Sequence, residues 1–176
     1  MNSKLSIQNT QAMNKIKVKD IALIGVMVAV IEACKFALAA IPNVELTSFF
    51  VIIFTLMFKK RIFIVIPVFI LIEGAVYGFG LWWIMYLYAW PILAIFTLIL
   101  HKVKSAWLWA VVSGIFGLLF GMMCSIPYLF IGGPTTAFAW WIAGIPFDLV
   151  HGISNFLIML VLFHPITKAM KKINIE

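Results

Sequence analysis

The sequence predicts an all-α integral membrane protein with six transmembrane helices and with both termini in the cytoplasm. Hydrophobic residues make up 65% of the 176 residues and charged residues only 11%, whereas a soluble domain carries about 25% charge. The 13 Lys and Arg residues cluster between long apolar runs, and every second junction is basic. The positive-inside rule predicts this alternation for an even number of crossings. Continuous apolar runs exclude a β-barrel, whose strands alternate in hydropathy.

Six apolar runs supply these helices, because a helix needs roughly 20 apolar residues to cross a bilayer. The second run is short, yet the charge pattern requires it, since Glu45 and Lys59 must face opposite sides of the membrane. The predicted helices cover 19–41, 46–58, 62–79, 81–101, 105–130 and 142–164. Residues 1–18 and 166–176 are then cytoplasmic tails on either side of one transmembrane domain at 19–165.

Proline and glycine mark the predicted outer connections at 41–46, 78–81 and 130–142. The Gly132-Gly133-Pro134 stretch opens the longest of these loops. Pro146 then falls in the first turn of the last helix, where a missing N–H costs little. The chain is therefore predicted to be a multi-pass protein of the cell membrane.

The composition and the motifs argue against several functions. The net charge of +7 is compatible with nucleic-acid binding, but the basic residues lie at helix ends and form no basic face, so we expect no nucleic-acid partner. The chain contains no phosphate-cradling Gly-Lys-Ser/Thr loop, no His-Glu-x-x-His pair and no Gly-x-Ser-x-Gly turn. We therefore predict that it is not an enzyme, has no ATPase site of its own, and needs no metal or cofactor.

Small residues recur along one face of the first predicted helix. At four-residue spacing, they are Gly25, Ala29, Ala33 and Ala37. Positions i and i+4 share a helix face, and a groove of small residues lets another helix approach closely in lipid. The groove serves either internal packing or docking of a separate membrane protein. A weaker version in the fifth helix, which we interpret as internal packing, comprises Gly114, Gly117 and Gly121.

Polar and aromatic side chains gather in the outer half. One face of the last helix carries Asp148, His151 and Asn155. One face of the fourth carries Trp83, Tyr86 and Trp90. The polar residues form either an internal strut or a ligand site, and the rings form either an interfacial belt or a stacking pocket. Glu73 lies at a similar depth, and Glu32 with Lys35, three residues apart, is expected to be a structural pair.

Three features together resemble the substrate-binding S component of energy-coupling factor (ECF) transporters, which are bacterial ABC importers of vitamins and related micronutrients. These features are six short helices, a basic N-terminus and the small-residue groove in the first helix. The first outer loop, Ile41-Pro42-Asn43-Val44-Glu45-Leu46, is similar to the corresponding loop of that family. The start of the last helix, from Pro146 to Phe156, is similar to the family's last helix.

The resemblance implies a mechanism and a set of functional residues. An S component captures its substrate from outside and then associates with a transmembrane coupling protein and two ATPase subunits in the lipid bilayer. The docking contact would map onto Ala29 and Ala33, extended by Gly25 and Ala37, provided that the neighbouring Glu32 faces away from the groove. The substrate-binding residues would be Asn43, Glu45, Trp83, Tyr86, Trp90, Asp148, His151 and Asn155.

The outer half carries Glu45, Glu73 and Asp148 but only one fixed cation, Lys35. A polyanion site would gather Arg or Lys, so we expect a neutral or weakly cationic ring compound. Flavin-like, thiamin-like, pyridoxine-like and corrinoid ligands remain open. Two other functions also remain open: a small ion-coupled secondary transporter, in which the acidic residues relay protons, and a membrane assembly protein that uses the small-residue groove without transport.

Overall fold

The computed structural model describes residues 18–172, and all regular secondary structure in this range is helical. Its helices are α1 (Val18–Leu38), α2 (Thr47–Phe58), α3 (Ile62–Tyr77), α4 (Leu81–Ile99), α5 (Ala106–Cys124) and α6 (Ile126–Lys172), with a 3-10 turn at Lys59–Arg61. The all-α prediction is therefore confirmed for these residues. The remaining parts of the two predicted tails, 1–17 and 173–176, lie outside the described residues.

Four of these helices, α1, α4, α5 and α6, are long and apolar enough to cross a membrane. Large apolar side chains also cover the outside of the bundle: Phe36 is 73% exposed, Ile99 69% and Val161 67%. Exposed apolar surface on several helices is typical of a protein that contacts lipid. Length, composition and surface therefore indicate a membrane protein, while the count of six crossings stays a prediction.

The short helix α2 lies at the centre of the bundle. Its 12 residues span about 18 Å, less than the roughly 30 Å of a bilayer core, and nine of them are buried. A helix that is apolar all round belongs in a protein core. The hydroxyl of Thr55 donates to the Val51 carbonyl, which satisfies a polar group that is fully buried.

Two ion pairs define the ends of the bundle. Arg61 Nη2 lies 2.8 Å from Asp20 Oδ1, which joins the start of α1 to the start of α3. Lys35 pairs with Glu73, which joins the last turn of α1 to the last turns of α3. The two helices therefore run parallel. We call the end at Asp20 and Arg61 the basic end, and the end at Lys35 and Glu73 the site end.

The glycines of α5 let α6 approach its backbone. A Cβ on Gly117 would lie 2.8 Å from the Cα of Gly152, closer than real Cβ atoms come to backbone. A Cβ on Gly114 would lie 3.1 Å from the Cβ of Phe156. The interpretation of these glycines as an internal packing surface is confirmed.

The predicted outer loop at 130–142 is wrong, because this segment is helical except at Gly133. Gly133 has φ 76°, a left-handed conformation that glycine adopts at no steric cost. The Thr136 hydroxyl donates to the Gly132 carbonyl over 2.7 Å and bridges the kink. From Pro134 the helix runs about 58 Å to Lys172, so Pro146 lies inside α6 and not in its first turn.

Candidate substrate-binding site

The loop between α1 and α2 is fastened to the middle of α6. The hydrogen bonds run from His151 Nε2 to Glu45 Oε1 (3.1 Å), from Ser154 Oγ to the Asn43 carbonyl (3.0 Å) and from Asn155 Nδ2 to Ser48 Oγ (3.2 Å). The three donors share one face of α6, because residues three and four apart are neighbours on a helix. We call these six residues the loop latch. It brings together four of the predicted binding residues, Asn43, Glu45, His151 and Asn155.

Glu45 is the centre of the loop latch. Besides His151, its carboxylate accepts from the backbone N–H of Ser48 at 2.9 Å and from the Ser48 hydroxyl, so it satisfies a free N–H at the start of α2. Burial by itself raises the pKa of a carboxyl group, but the hydrogen bonds from His151 and Ser48 outweigh it and hold the pKa of Glu45 below its ordinary value. The carboxylate is therefore favoured in its ionised form, in which it fastens the loop to α6.

Asp148 lies on the same face of α6 but contacts α5 and not the loop. Its Oδ1 accepts from the backbone N–H of Gly121 at 2.9 Å. Its Oδ2 is buried and has no hydrogen-bond partner among residues 18–172. A Cβ on Gly121 would come within 2.8 Å of the Asp148 Cγ, so a larger residue at this position would have to push the carboxylate aside. Asp148 thus has one oxygen in use and one free acceptor.

A series of rings connects α4 to the loop latch. The centroid of Trp90 lies 5.3 Å from Tyr86 and 5.6 Å from Phe120, and Phe120 lies 5.0 Å from His151. The buried indole N–H of Trp90 has no hydrogen-bond partner within the described range. Trp90 and Tyr86, both predicted binding residues, therefore lie on the inner side of α4. We call Tyr86, Trp90, Phe120 and His151 the ring series.

The third predicted ring of α4 points elsewhere. Trp83 donates its indole N–H to the Ile70 carbonyl at 2.8 Å and so packs on α3. The neighbouring Trp82 occupies the position beside Tyr86 that was predicted for Trp83, with its ring centroid 5.3 Å from that of Tyr86. The sequence contains two helical spacings of aromatic residues here: Trp82, Tyr86 and Trp90 at intervals of four, and Trp83, Tyr86 and Trp90 at intervals of three and four. The prediction was based on the second, whereas the structure brings the first set together.

Lys35 forms its ion pair with Glu73, while the expected partner Glu32 acts on it only as a nearby charge. Its ammonium lies 5.2 Å from the Tyr86 ring, 5.3 Å from Tyr77 and 5.8 Å from Phe69. Rings within about 6 Å attract a cation through their quadrupoles. We call Lys35, Phe69, Glu73, Tyr77 and Tyr86 the Lys35 cage.

A cavity of about 340 Å³ opens beside the Lys35 cage at the site end. Its lining residues are Lys35, Ala39, Glu73, Tyr77 and Trp82, so it lies between α1, α3 and α4. The resemblance placed the binding site between the first outer loop and helices four to six. The structure thus adds Lys35, Glu73 and Trp82 to the candidate residues, and joins the two regions through Tyr86.

The small residues of α1 face outwards. Gly25, Ala29, Ala33 and Ala37 are all exposed, and a Cβ on Gly25 would meet nothing within 4 Å. Glu32 is half-buried, with its Oε1 turned into the protein, so its carboxylate does not stand over the groove. No helix of residues 18–172 covers this face, which we call the α1 stripe.

Among residues 18–172, no three His, Cys, Asp or Glu side chains come together in a group that could hold a metal ion. No protein-family model, curated protein or solved structure matches this chain. The functional interpretation therefore depends on the loop latch, the Lys35 cage, the cavity and the α1 stripe.

Proposed function

We propose that this chain is the membrane-embedded substrate-binding subunit of an ECF-type ABC importer. It captures a vitamin-like ring compound of no net charge, or weakly cationic, from outside. A transmembrane coupling protein and two ATPase subunits then drive its uptake. In this proposal the chain crosses the bacterial cell membrane six times with both termini in the cytoplasm.

The observation that carries the proposal is the ring-walled cavity at the site end. The basic end holds exposed Lys59, Lys60 and Arg61, and the positive-inside rule puts such a cluster in the cytoplasm. The cavity, which lies at the opposite end beside Lys35 and Glu73, then opens to the outside. A cavity with aromatic walls and a few fixed polar groups is typical of a small-molecule site.

The α1 stripe supports the second half of the proposal. A row of small, exposed residues on a membrane helix is the surface on which another helix packs closely, and this face has no partner among residues 18–172. With Glu32 turned inwards, Ala29 and Ala33 are accessible to a partner helix. This is the surface at which we expect the coupling protein to dock.

The test separates substrate binding from docking. Mass spectrometry of small molecules that co-purify with the wild-type chain identifies a ligand, and equilibrium binding measures its affinity. Ala29→Trp and Ala33→Trp should abolish co-purification of the coupling protein and the ATPase subunits from native membranes, and should abolish uptake, while ligand affinity is unchanged. Ala75→Trp, on an exposed alanine of α3, is the matched control and should preserve both.

Three results would contradict the proposal. Uptake that persists in cells lacking the ATPase subunits would favour an ion-coupled secondary transporter. Loss of ligand binding with intact assembly in Ala29→Trp and Ala33→Trp would show that the α1 stripe is not a docking surface. A chain that binds no small molecule, and whose partners assemble through the α1 stripe alone, would be an assembly protein.

A further inference from the structure

A buried ion pair forms part of the cavity wall. Glu73 is fully buried, while the side chain of Lys35 is 27% exposed, and both line the cavity. We propose that the cavity binds a zwitterionic ring compound, with one ammonium and one carboxylate group, by exchanging ion-pair partners with Lys35 and Glu73. This inference rests on the proposed substrate-binding function and names the substrate class of that site.

Charge balance selects the zwitterion. A cationic ligand that reaches Glu73 must displace Lys35, whose ammonium would then keep only the weaker attraction of Glu32 and Glu45. An anionic ligand that draws Lys35 away would leave the Glu73 carboxylate buried and unpaired. Either exchange leaves one member of the pair without a close counter-ion, and the cost is larger when that member is Glu73, which is fully buried. A zwitterion converts the single Lys35–Glu73 pair into two pairs, so no charge is left without a partner.

The Lys35 cage is suited to receive the ligand ammonium. Three rings lie within 5.2 to 5.8 Å of the position that the Lys35 ammonium now occupies, and aromatic cages of this kind recognise organic ammonium groups. Glu73 Oε1 is buried and has no hydrogen-bond partner among residues 18–172. A ligand ammonium has several N–H donors and would satisfy this oxygen, which the Lys35 ammonium leaves free.

Lys35 is suited to receive the ligand carboxylate. Its side chain lies at the cavity wall, and its four-carbon stem lets the ammonium move without the backbone. Apart from Glu73, its polar contact at the site is a long 3.5 Å approach to the Tyr86 hydroxyl, so little is lost when it turns. The ammonium and the carboxylate of the ligand would then lie side by side at the cavity wall, as they do in an α-amino acid, where both groups are bonded to one carbon.

The cavity sets the size of the ligand. A volume of about 340 Å³ is near the lower end of the roughly 300–1,000 Å³ seen for small-molecule pockets. Tyr77 and Trp82 line it and offer stacking surfaces for one flat ring. A single-ring amino-acid-like compound fits this space, whereas a corrinoid compound does not.

The test compares three probes that share a phenyl ring and a short linker. L-Phenylalanine carries both charges, phenethylamine only the ammonium and 3-phenylpropionate only the carboxylate. Isothermal titration calorimetry on the detergent-purified wild-type chain should show phenylalanine binding at least roughly a hundredfold tighter than either single-charge probe, since a site built for a polar group rejects an analogue that lacks it. Equal affinities, tighter binding of a single-charge probe, or no binding of any probe would overturn the inference.

Two variants test the exchange of partners. Lys35→Met leaves Glu73 without its cation, so the preference should shift from phenylalanine to phenethylamine. Glu73→Gln leaves Lys35 without its anion, so the preference should shift to 3-phenylpropionate. If the ion pair has only a structural role, both variants should weaken the binding of all three probes alike, and this result would contradict the proposal. If either variant fails to fold, the three-probe comparison on the wild-type chain still decides.

A cavity-filling variant tests whether the probe binds in this cavity. Ala39→Leu should abolish phenylalanine binding, because Ala39 lines the cavity, while Ala40→Leu at the neighbouring exposed position should preserve it. If the two variants change phenylalanine binding equally, the probe does not bind in this cavity. If a ligand that is not zwitterionic co-purifies and its uptake depends on the ATPase subunits, the inferred substrate class is overturned and the proposed function stands. If a zwitterion binds but its uptake does not depend on the ATPase subunits, the proposed function is overturned and the inferred substrate class stands.

Discussion

Removing one member of the Lys35–Glu73 pair should destabilise the ligand-free protein, and by unequal amounts. Lys35→Met leaves a carboxylate with 0% exposure uncompensated, which should cost about 3–5 kcal/mol. Glu73→Gln leaves Lys35, whose side chain is 27% exposed and can extend towards water. That variant should therefore cost no more than about 2.5 kcal/mol. Lys35→Met should therefore be the less stable of the two variants, because the charged group that it leaves unpaired is the more deeply buried one.

The double variant Lys35→Met/Glu73→Gln removes both charges and should lie within about 1 kcal/mol of the wild type, because neutral replacements of a buried pair are tolerated. Equilibrium unfolding by sodium dodecyl sulfate in dodecyl maltoside micelles, followed by circular dichroism, gives the four free energies of unfolding. The coupling energy, the sum of the two single effects minus the effect of the double variant, should then be at least about 2 kcal/mol. The Asp20–Arg61 pair is more exposed, and its matched cycle should give less than about 1 kcal/mol. Additive effects at Lys35 and Glu73 would refute this reasoning.

Three further predictions concern packing, a buried hydroxyl and the loop latch. Gly117→Leu should destabilise by about 1–3 kcal/mol, because its Cβ would lie 2.8 Å from the Cα of Gly152, whereas Gly144→Leu has open space around it and should be nearly neutral; equal unfolding free energies would contradict this. Ser113→Ala should stabilise by about 1 kcal/mol, since the buried Ser113 hydroxyl has no hydrogen-bond partner within residues 18–172; a loss of stability would reveal a partner. The pKa of Glu45 lies below its ordinary 4.5, so its ionised form contributes stability above that pH and loses it as the pH falls through the lowered value. Glu45→Gln should therefore flatten the loss of melting temperature as the pH falls from neutral to below 4.5, and an unchanged profile would count against the loop latch.

The features that the sequence predicted well are local ones. Helix boundaries up to α5 differ from the prediction by at most six residues, because apolar runs and the residues that end them are adjacent in the chain. The α6 residues His151 and Asn155 lie on one face as their spacing required, and they contact the first outer loop at Glu45 and the start of α2 at Ser48. Their partners Glu45 and Ser48 lie over 100 residues away, and the resemblance of the loop to a known family brought only Glu45 into the predicted site.

The features that the sequence did not predict depend on contacts between helices. Lys35 has one acidic residue nearby in the chain, Glu32, and another on α3, Glu73, and only the packing of α1 against α3 decides between them. Trp82 and Trp83 are adjacent and differ by about 100° around α4, so the side on which α3 packs decides which ring lines the cavity. A Gly-Gly-Pro stretch favours a loop, yet one left-handed glycine is enough to turn the chain and leave both sides helical.

The Lys35 cage and the loop latch form one continuous set of contacts. Tyr86 belongs to the cage, and the ring series leads from it through Trp90 and Phe120 to His151, which holds Glu45. Contact alone does not establish energetic coupling between two sites. The coupling has a physical basis only if Tyr86 takes different positions in the empty and occupied cavity, since movement of Lys35 removes the cation from one face of its ring. The state of the loop latch would then depend on occupancy of the cavity, and the proposed capture of a substrate from outside would use such a dependence.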